Sequence, residues 1–138
     1  MSAALGEVQM RRLDAMICKR QQVADWYQQR LNEIPGIEPP FISPKTTRVS
    51  WFVYVIRFVA GLDREEIAKK LAKAGIPARP YFLPIHLQPY MVERFGYQEG
   101  IYPVTEDLGR RGLALPFSGV MEEGQVDRVC QVLREVAS

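Results

Sequence analysis

Val49-Ser-Trp-Phe-Val-Tyr-Val-Ile-Arg-Phe58 is followed closely by Asp63-Arg-Glu-Glu-Ile-Ala-Lys-Lys-Leu-Ala-Lys-Ala-Gly75. The first run is rich in aromatic and β-branched residues, too short for most helices, and apolar on both alternating faces. That pattern predicts a central strand covered on both sides. The second run has a helical period, with Ile67, Leu71 and Ala74 on one stripe. Asp63 opens it as a cap, and Glu66 stands three residues later as in a capping box. Gly75 closes it, because glycine takes the left-handed conformation after a helix without a Cβ penalty, and Pro77 blocks any extension.

Upstream, residues 2–31 read as one long helix. Leu13, Met16, Ile17, Ala24, Tyr27 and Leu31 recur at three- and four-residue steps, while Arg11, Arg12, Lys19, Arg20, Gln21 and Gln28 form the polar side. Asn32 and Pro35-Gly36 end it. Such a helix is roughly 45 Å long at about 1.5 Å per residue, more than a domain of this size needs, so it is expected to span toward a second domain or subunit. Residues 35–47 hold four prolines and little periodicity, and read as a surface loop.

Downstream, residues 78–82 predict a short strand, placed at an edge by its prolines. Residues 83–100 are irregular apart from one short helix near 89–95. Pro103 suits the first turn of a helix running to Arg111, and residues 113–116 make a brief strand. Val126, Val129, Cys130, Leu133 and Val136 mark a last helix. Met121 stands where a capping serine or threonine is expected and Gly124 lies in the first turn, which weakens that start by about 1 kcal/mol. The order predicts an α+β fold: a long helix over residues 1–34, then a small unit over 35–138 with about three short strands packed by helices on one face.

The chain has 138 residues, 47% hydrophobic and 25% charged, enough for one domain with its own core. A net charge of +2, with arginines spread along the chain, argues against a nucleic-acid or acidic-membrane partner. Cys18 and Cys130 fall on or near apolar helix stripes and read as buried free thiols. With one histidine and no CxxC pair, no metal site is expected. No leader-like segment or membrane-length apolar run is visible, so a cytoplasmic location is the default.

The densest candidate for recognition is Gly75-Ile-Pro-Ala-Arg-Pro-Tyr-Phe-Leu-Pro-Ile-His-Leu-Gln-Pro-Tyr90, with four prolines in sixteen residues. Prolines stiffen the segment and lower the entropy it loses on ordering. A stiff loop that presents Tyr81 and His86 suits a binding site. The competing assignment packs Tyr81 and Tyr90 into the core and has His86 cap a carbonyl. Trp26 and Tyr27 read as packing residues and Arg11-Arg12 as a solvated face. No nucleophile–base constellation, glycine-rich phosphate loop or Walker motif is present.

These segments, together with Phe95-Gly-Tyr, Pro103-Val-Thr-Glu-Asp, Leu113-Ala-Leu-Pro-Phe and the opening Met1-Ser-Ala-Ala-Leu-Gly with Gln9 and Arg12-Leu-Asp14, resemble the DegT/DnrJ/EryC1/StrS family of nucleotide-sugar aminotransferases. The resemblance covers nearly the whole chain. It implies the C-terminal domain of a fold-type I enzyme, usually a homodimer, whose large N-terminal domain holds pyridoxal phosphate on a lysine. None of Lys19, Lys45, Lys69, Lys70 and Lys73 matches the context of that lysine. The chain alone is therefore expected to be inactive and to bind the cofactor weakly, and the missing cofactor domain is its expected partner. By motif position Tyr81 and His86 are carried over as substrate-binding residues, often serving the partner subunit's site, with Arg79 as a further candidate for a phosphate or carboxylate. No catalytic residue is assigned to the chain. The alternative is a free-standing α+β module that binds a ligand or protein without catalysis.

Overall fold

A computed structural model describes residues 2–137, without the side chain of Ser2; Met1, which opens the family-like segment, and Ser138 lie outside the described residues. The elements are helices α1 (Ser2–Arg11) and α2 (Leu13–Leu31), strands β1 (Ile37–Glu38) and β2 (Tyr54–Phe58), helix α3 (Arg64–Lys73), strand β3 (Arg79–Pro80), a single 3-10 turn (Ile85–Leu87), helices α4 (Pro89–Phe95) and α5 (Pro103–Arg111), strand β4 (Gly112–Leu115) and helix α6 (Glu123–Val136). The α+β class holds. The sheet, however, has four strands in the order β1-β2-β4-β3, all antiparallel, and not three. The extra strand is β1, inside the proline-rich segment read as a loop, where Ile37 pairs with Phe58 and Glu38 with Arg57.

The expected long N-terminal helix is two helices. Arg12 interrupts it: its N–H donates to the carbonyl of Gln9, three residues back, at 3.1 Å, before α2 resumes with Met16 N–H on the Arg12 carbonyl at 3.0 Å. One tightened turn of this kind is a 3-10 step between α-helices. Only the second helix contributes to the core, through Val23, Ala24, Tyr27 and Leu31. Cys18, expected to be buried, is exposed, whereas Cys130 on α6 is buried.

Strand β2 is central, but shorter than residues 49–58 and covered fully on one face only. Tyr54, Ile56 and Phe58 are buried while Val55 and Arg57 are half-buried. The strand cannot extend upstream because Trp51 sits at φ +47°, in the left-handed region that side chains with a Cβ rarely adopt. What holds it there is packing. Trp51 is buried, donates its Nε1–H to Gln21 Oε1 at 2.8 Å, and stacks on Tyr54 at 5.4 Å between centroids. Tyr54 in turn stacks on Tyr27 at 5.0 Å and Phe117 at 6.0 Å.

Helices α2, α3 and α6 close the buried face, with Leu31, Leu71, Leu113 and Leu133 fully enclosed. Each such side chain stabilises by about 1.5–3 kcal/mol relative to exposure. The predicted ends of α3 are present. Asp63 accepts from the N–H groups of Glu65 and Glu66 at 2.8 and 3.1 Å, and Gly75 at φ +77° lets Ile76 N–H reach the Leu71 carbonyl at 2.9 Å. That is a Schellman closure, with buried Ile76 packing where such a motif places an apolar residue. The start of α6 is not the weak one expected from Met121. Glu122 occupies the cap, and its N–H donates to Gln125 Oε1 at 3.0 Å, so an orphan donor is satisfied from within the helix. Arg30 then ties α2 to α6 by donating to both Asp127 and Glu123.

Candidate functional site

The second face of the sheet is the one that chemistry can reach. Cross-strand partners share a face, so Val55 lies with Ala114 and Arg79, and Arg57 with Gly112 and Glu38. Helix α5 leans over this face. A Cβ on Gly112 would stand 2.7 Å from the Leu108 carbonyl, so the strand leaves the helix at a distance only glycine allows. Arg111 fastens the junction: its Nη1–H donates to the Phe58 carbonyl at 3.0 Å while its fork grips Asp107. That fork also holds the Asp107 carboxyl below the usual carboxylate range.

Between this face, α5 and the loop after β3 lies a cavity of about 630 Å³ whose walls include Phe41, Val55, Arg57, Tyr81, Phe82 and Leu108. The lining is largely apolar, with one guanidinium. That charge is partly spoken for, since Arg57 pairs with Glu38 at 3.2 Å. Tyr81 is half-buried and its ring lies 4.3 Å from that of Phe82. Phe82 is 71% exposed and sits at φ +55°, a second residue held in the left-handed region. Backbone strain of this sort costs on the order of 1–3 kcal/mol and persists only where the surroundings over-determine it.

The surroundings here are α5. Gly109 receives Pro84 so closely that a Cβ would meet the proline Cδ and Cγ at 2.9 Å. The Gly109 carbonyl accepts from Arg64 Nη1 at 2.6 Å. One turn earlier on α5, Glu106 receives His86. The His86 Nε2 and Glu106 Oε1 are 2.9 Å apart, and the residues are 7% and 3% exposed. Both Glu106 oxygens accept from the Gly100 N–H at 2.9 Å, and Oε1 accepts from the Tyr102 N–H at 3.2 Å. The Gly100 N–H is the chief reason the Glu106 carboxyl is held below its usual range. Burial opposes it, and His86 and the Tyr102 N–H add to it. Tyr97 and Tyr102 set their rings edge-on to the imidazole at 6.3 and 4.9 Å.

The three residues singled out in the sequence therefore fall in different places. Tyr81 lines the cavity. Arg79 shares the open face at the sheet edge and is exposed, but it does not line the cavity. His86 is buried behind the loop, against a carboxylate and not a carbonyl. Tyr90 is 61% exposed on α4. Sequence reasoning missed Glu106, whose cue was a glutamate in the first turn of a proline-initiated helix, and missed the cavity residues Phe41 and Arg57. Every lysine is exposed, and none lines the cavity. A Schiff-base lysine needs a desolvating pocket or a neighbouring cation to be nucleophilic. The cavity lining thus offers no amine for a Schiff base with pyridoxal phosphate, and no step through that group is assigned to these residues. Of the two thiols, Cys130 is buried, and burial pushes it up to about 11, while Cys18 is exposed on α2 and does not line the cavity. Among the described residues no cluster of metal-ligating side chains occurs, and no helix is long and apolar enough to cross a membrane.

Residues 1–134 match the model of the DegT/DnrJ/EryC1/StrS aminotransferase family. The chain is 34% identical to the spore coat polysaccharide biosynthesis protein SpsC of Bacillus subtilis (strain 168), over 99% of the chain and 36% of that protein. It is 32% identical to the GDP-perosamine synthase of Escherichia coli O157:H7, over 99% of the chain and 35% of that protein. Among solved structures it is similar to S. venezuelae DesV in complex with a ketimine intermediate, with a TM-score of 0.87 and 30% identity over 99% of the chain and 36% of DesV. The chain thus spans about a third of the length of the relatives it matches.

Proposed function

The chain belongs to the DegT/DnrJ/EryC1/StrS aminotransferase family, and on that premise we propose that it serves as the small, C-terminal domain of a pyridoxal-phosphate-dependent nucleotide-sugar aminotransferase. Within residues 1–34 the α1 end is its link to the rest of the enzyme, while α2 packs into the folded body formed with residues 35–138. It contributes substrate-site residues and subunit contacts in a homodimer, while a preceding domain supplies the cofactor lysine. The observation that carries this reading is the open sheet face: a cavity with Tyr81 in its wall, Arg79 on the same face, and no lysine in its lining.

The chemistry of that face supports a nucleotide sugar. Tyr81 and Phe82 offer aromatic surface to a flat or partly apolar ring. Arg79 offers a planar fork of donors that matches a phosphate. His86, the third candidate, is held by Glu106 and contributes chiefly by fixing the loop. A GDP-sugar is named for one relative, which supports the same substrate class here. An exposed apolar series on α1 and at the start of α2, Leu5, Val8, Met10 and Leu13, supports a helix that another domain or subunit covers.

Titration with pyridoxal phosphate, followed by borohydride reduction and mass spectrometry, tests the assignment of the lysine elsewhere. No stoichiometric adduct is expected on Lys19, Lys45, Lys69, Lys70 or Lys73, and a full adduct on one of them overturns the proposal. The reading frame upstream of Met1 tests the rest. Continuation into a lysine-bearing cofactor domain is expected, and an in-frame stop directly before Met1 points instead to a free-standing binding module.

A further inference from the structure

Residues 81–87 carry Tyr81 and Phe82 of the proposed substrate site, yet they lack the hydrogen-bonded ladder that normally fixes a chain. The sheet ends at Pro80. Phe82 has a left-handed backbone, and Phe82, Leu83 and Ile85 are all exposed. Something other than the loop's own packing must hold its shape. The contacts that do so come from one helix, at Glu106 and Gly109 of α5, three residues apart and therefore on one side of it.

We infer that Glu106 is the positioning residue of this loop: its buried carboxylate holds His86 by a proton on Nε2 and anchors the 97–102 turn through the same two oxygens. The donor count carries the assignment. Glu106 receives the N–H of Gly100 on both oxygens and the N–H of Tyr102 on Oε1. Those backbone groups can only donate. A carboxyl group so surrounded by donors is an ionised acceptor, so the hydrogen in the 2.9 Å contact to His86 belongs to the ring nitrogen. A neutral imidazole carries one N–H, and its other nitrogen is then an acceptor. The Glu106 carboxyl, held below its usual range chiefly by the Gly100 N–H, agrees with this picture. Through His86 the carboxylate fixes the 3-10 turn at residues 85–87, and through that turn the course of the chain back to Tyr81. Pro84 seated on Gly109 adds a second point of attachment, so the loop cannot rotate about the first.

The loop's role in a substrate site rests on the proposed aminotransferase function; the latch itself does not, and it can be measured in this chain whatever the enzyme proves to be. Long-range proton–nitrogen NMR of the single histidine at pH 8 is expected to show the Nε2–H tautomer, and an Nδ1–H tautomer in the wild type overturns the inference without touching the family assignment. Glu106→Gln replaces one acceptor oxygen by an NH₂ that must face either a backbone N–H or the imidazole N–H. In either orientation the Gly100 N–H loses an acceptor, so its amide is expected to exchange roughly tenfold faster or more, as the loss of a buried charge-assisted bond implies; where the NH₂ takes the Oε1 place the ring moves its proton to Nδ1 and the Tyr102 amide opens as well. His86→Gln keeps a donor for Glu106 and is expected to leave those two amides protected. A side chain that merely fills space would leave the Gly100 amide as protected in Glu106→Gln as in the wild type, and that result, or loss of protection at both amides in His86→Gln, refutes the positioning role.

Discussion

Tyr27→Phe removes one oxygen from the centre of the molecule and tests whether the core is held by a specific polar contact as well as by apolar burial. Tyr27 is fully buried on α2, and its hydroxyl donates to the Pro116 carbonyl at 2.7 Å, just beyond the end of β4. Phenylalanine keeps the ring and its stacking on Tyr54 at 5.0 Å. What changes is that a carbonyl inside the fold loses its donor. Leaving such a group unpaired costs about 1–3 kcal/mol. Pro116 is only half-buried and recovers part of that from water, so a loss of about 1–2 kcal/mol is expected. Unfolding entropy of roughly 2.1 cal/mol/K per residue, over 138 residues, gives about 0.3 kcal/mol/K and a Tm lowered by roughly 3–7 °C. Thermal unfolding by circular dichroism reads this directly. Tyr54→Phe is the control: its hydroxyl donates to Gln28 Oε1 at 3.2 Å, a flexible half-buried side chain that can turn to water, so its loss is expected to be smaller. An unchanged Tm for Tyr27→Phe, or a larger drop for Tyr54→Phe, refutes the reasoning.

A thiol reagent at pH 8 is expected to label one equivalent per native chain, at exposed Cys18, and a second only after unfolding, because burial raises Cys130 to about 11; peptide mapping that finds Cys130 labelled in the native state refutes this. For acid sensitivity the sign follows from Glu106: its folded carboxyl lies below the unfolded value, chiefly through the Gly100 N–H, so its contribution is full above an ordinary glutamate pKa of about 4.3 and is lost as pH falls through the folded value. Near-UV circular dichroism from Tyr97 and Tyr102 is expected to fade in that acid window, and in Glu106→Gln to be already weakened at neutral pH. The exposed apolar residues Leu5, Val8 and Met10 on α1 are expected to drive self-association, which sedimentation at several concentrations checks; a strict monomer counts against it.

Helix ends were legible in the sequence because their determinants are local. Asp63, Gly75 and Pro103 each act within one turn, and each terminates or starts its helix where the pattern placed it. Strands were less legible because their determinants are not local. Ile37-Glu38 becomes a strand only by pairing with Phe58 and Arg57, and nothing in the prolines around it predicts the pairing. The apolar run from Val49 misled for a related reason. Its aromatic content reflects Trp51 stacking with Tyr54 and Phe117, which demands a turn at Trp51 and not an extended ladder. The break at Arg12 has no glycine or proline to announce it. His86 stood out as the only histidine, but its partner lies twenty residues away on another helix, and one sequence carries no mark of that contact.

The position of the candidate site follows from the period of the sheet. Strand β2 gives alternate residues to two environments: Tyr54, Ile56 and Phe58 to the core, Val55 and Arg57 to the open face. A core built from the first set therefore fixes the second to within the tolerance of the backbone, which is how a small domain can hold a site rigidly without a separate scaffold. Strand β3 shows the same economy at the edge. Arg79 pairs opposite Ala114 and points its charge to the open face, while Pro80 has no N–H with which to continue a ladder. The residue that ends the sheet therefore begins the loop that bears Tyr81, and an exposed sheet edge is blunted at the same point. From there α5 takes over, receiving Pro84 at Gly109 and His86 at Glu106. Core, edge and loop are thus one continuous device, and a substitution at Glu106 is expected to be felt at Tyr81 although the two side chains share no contact.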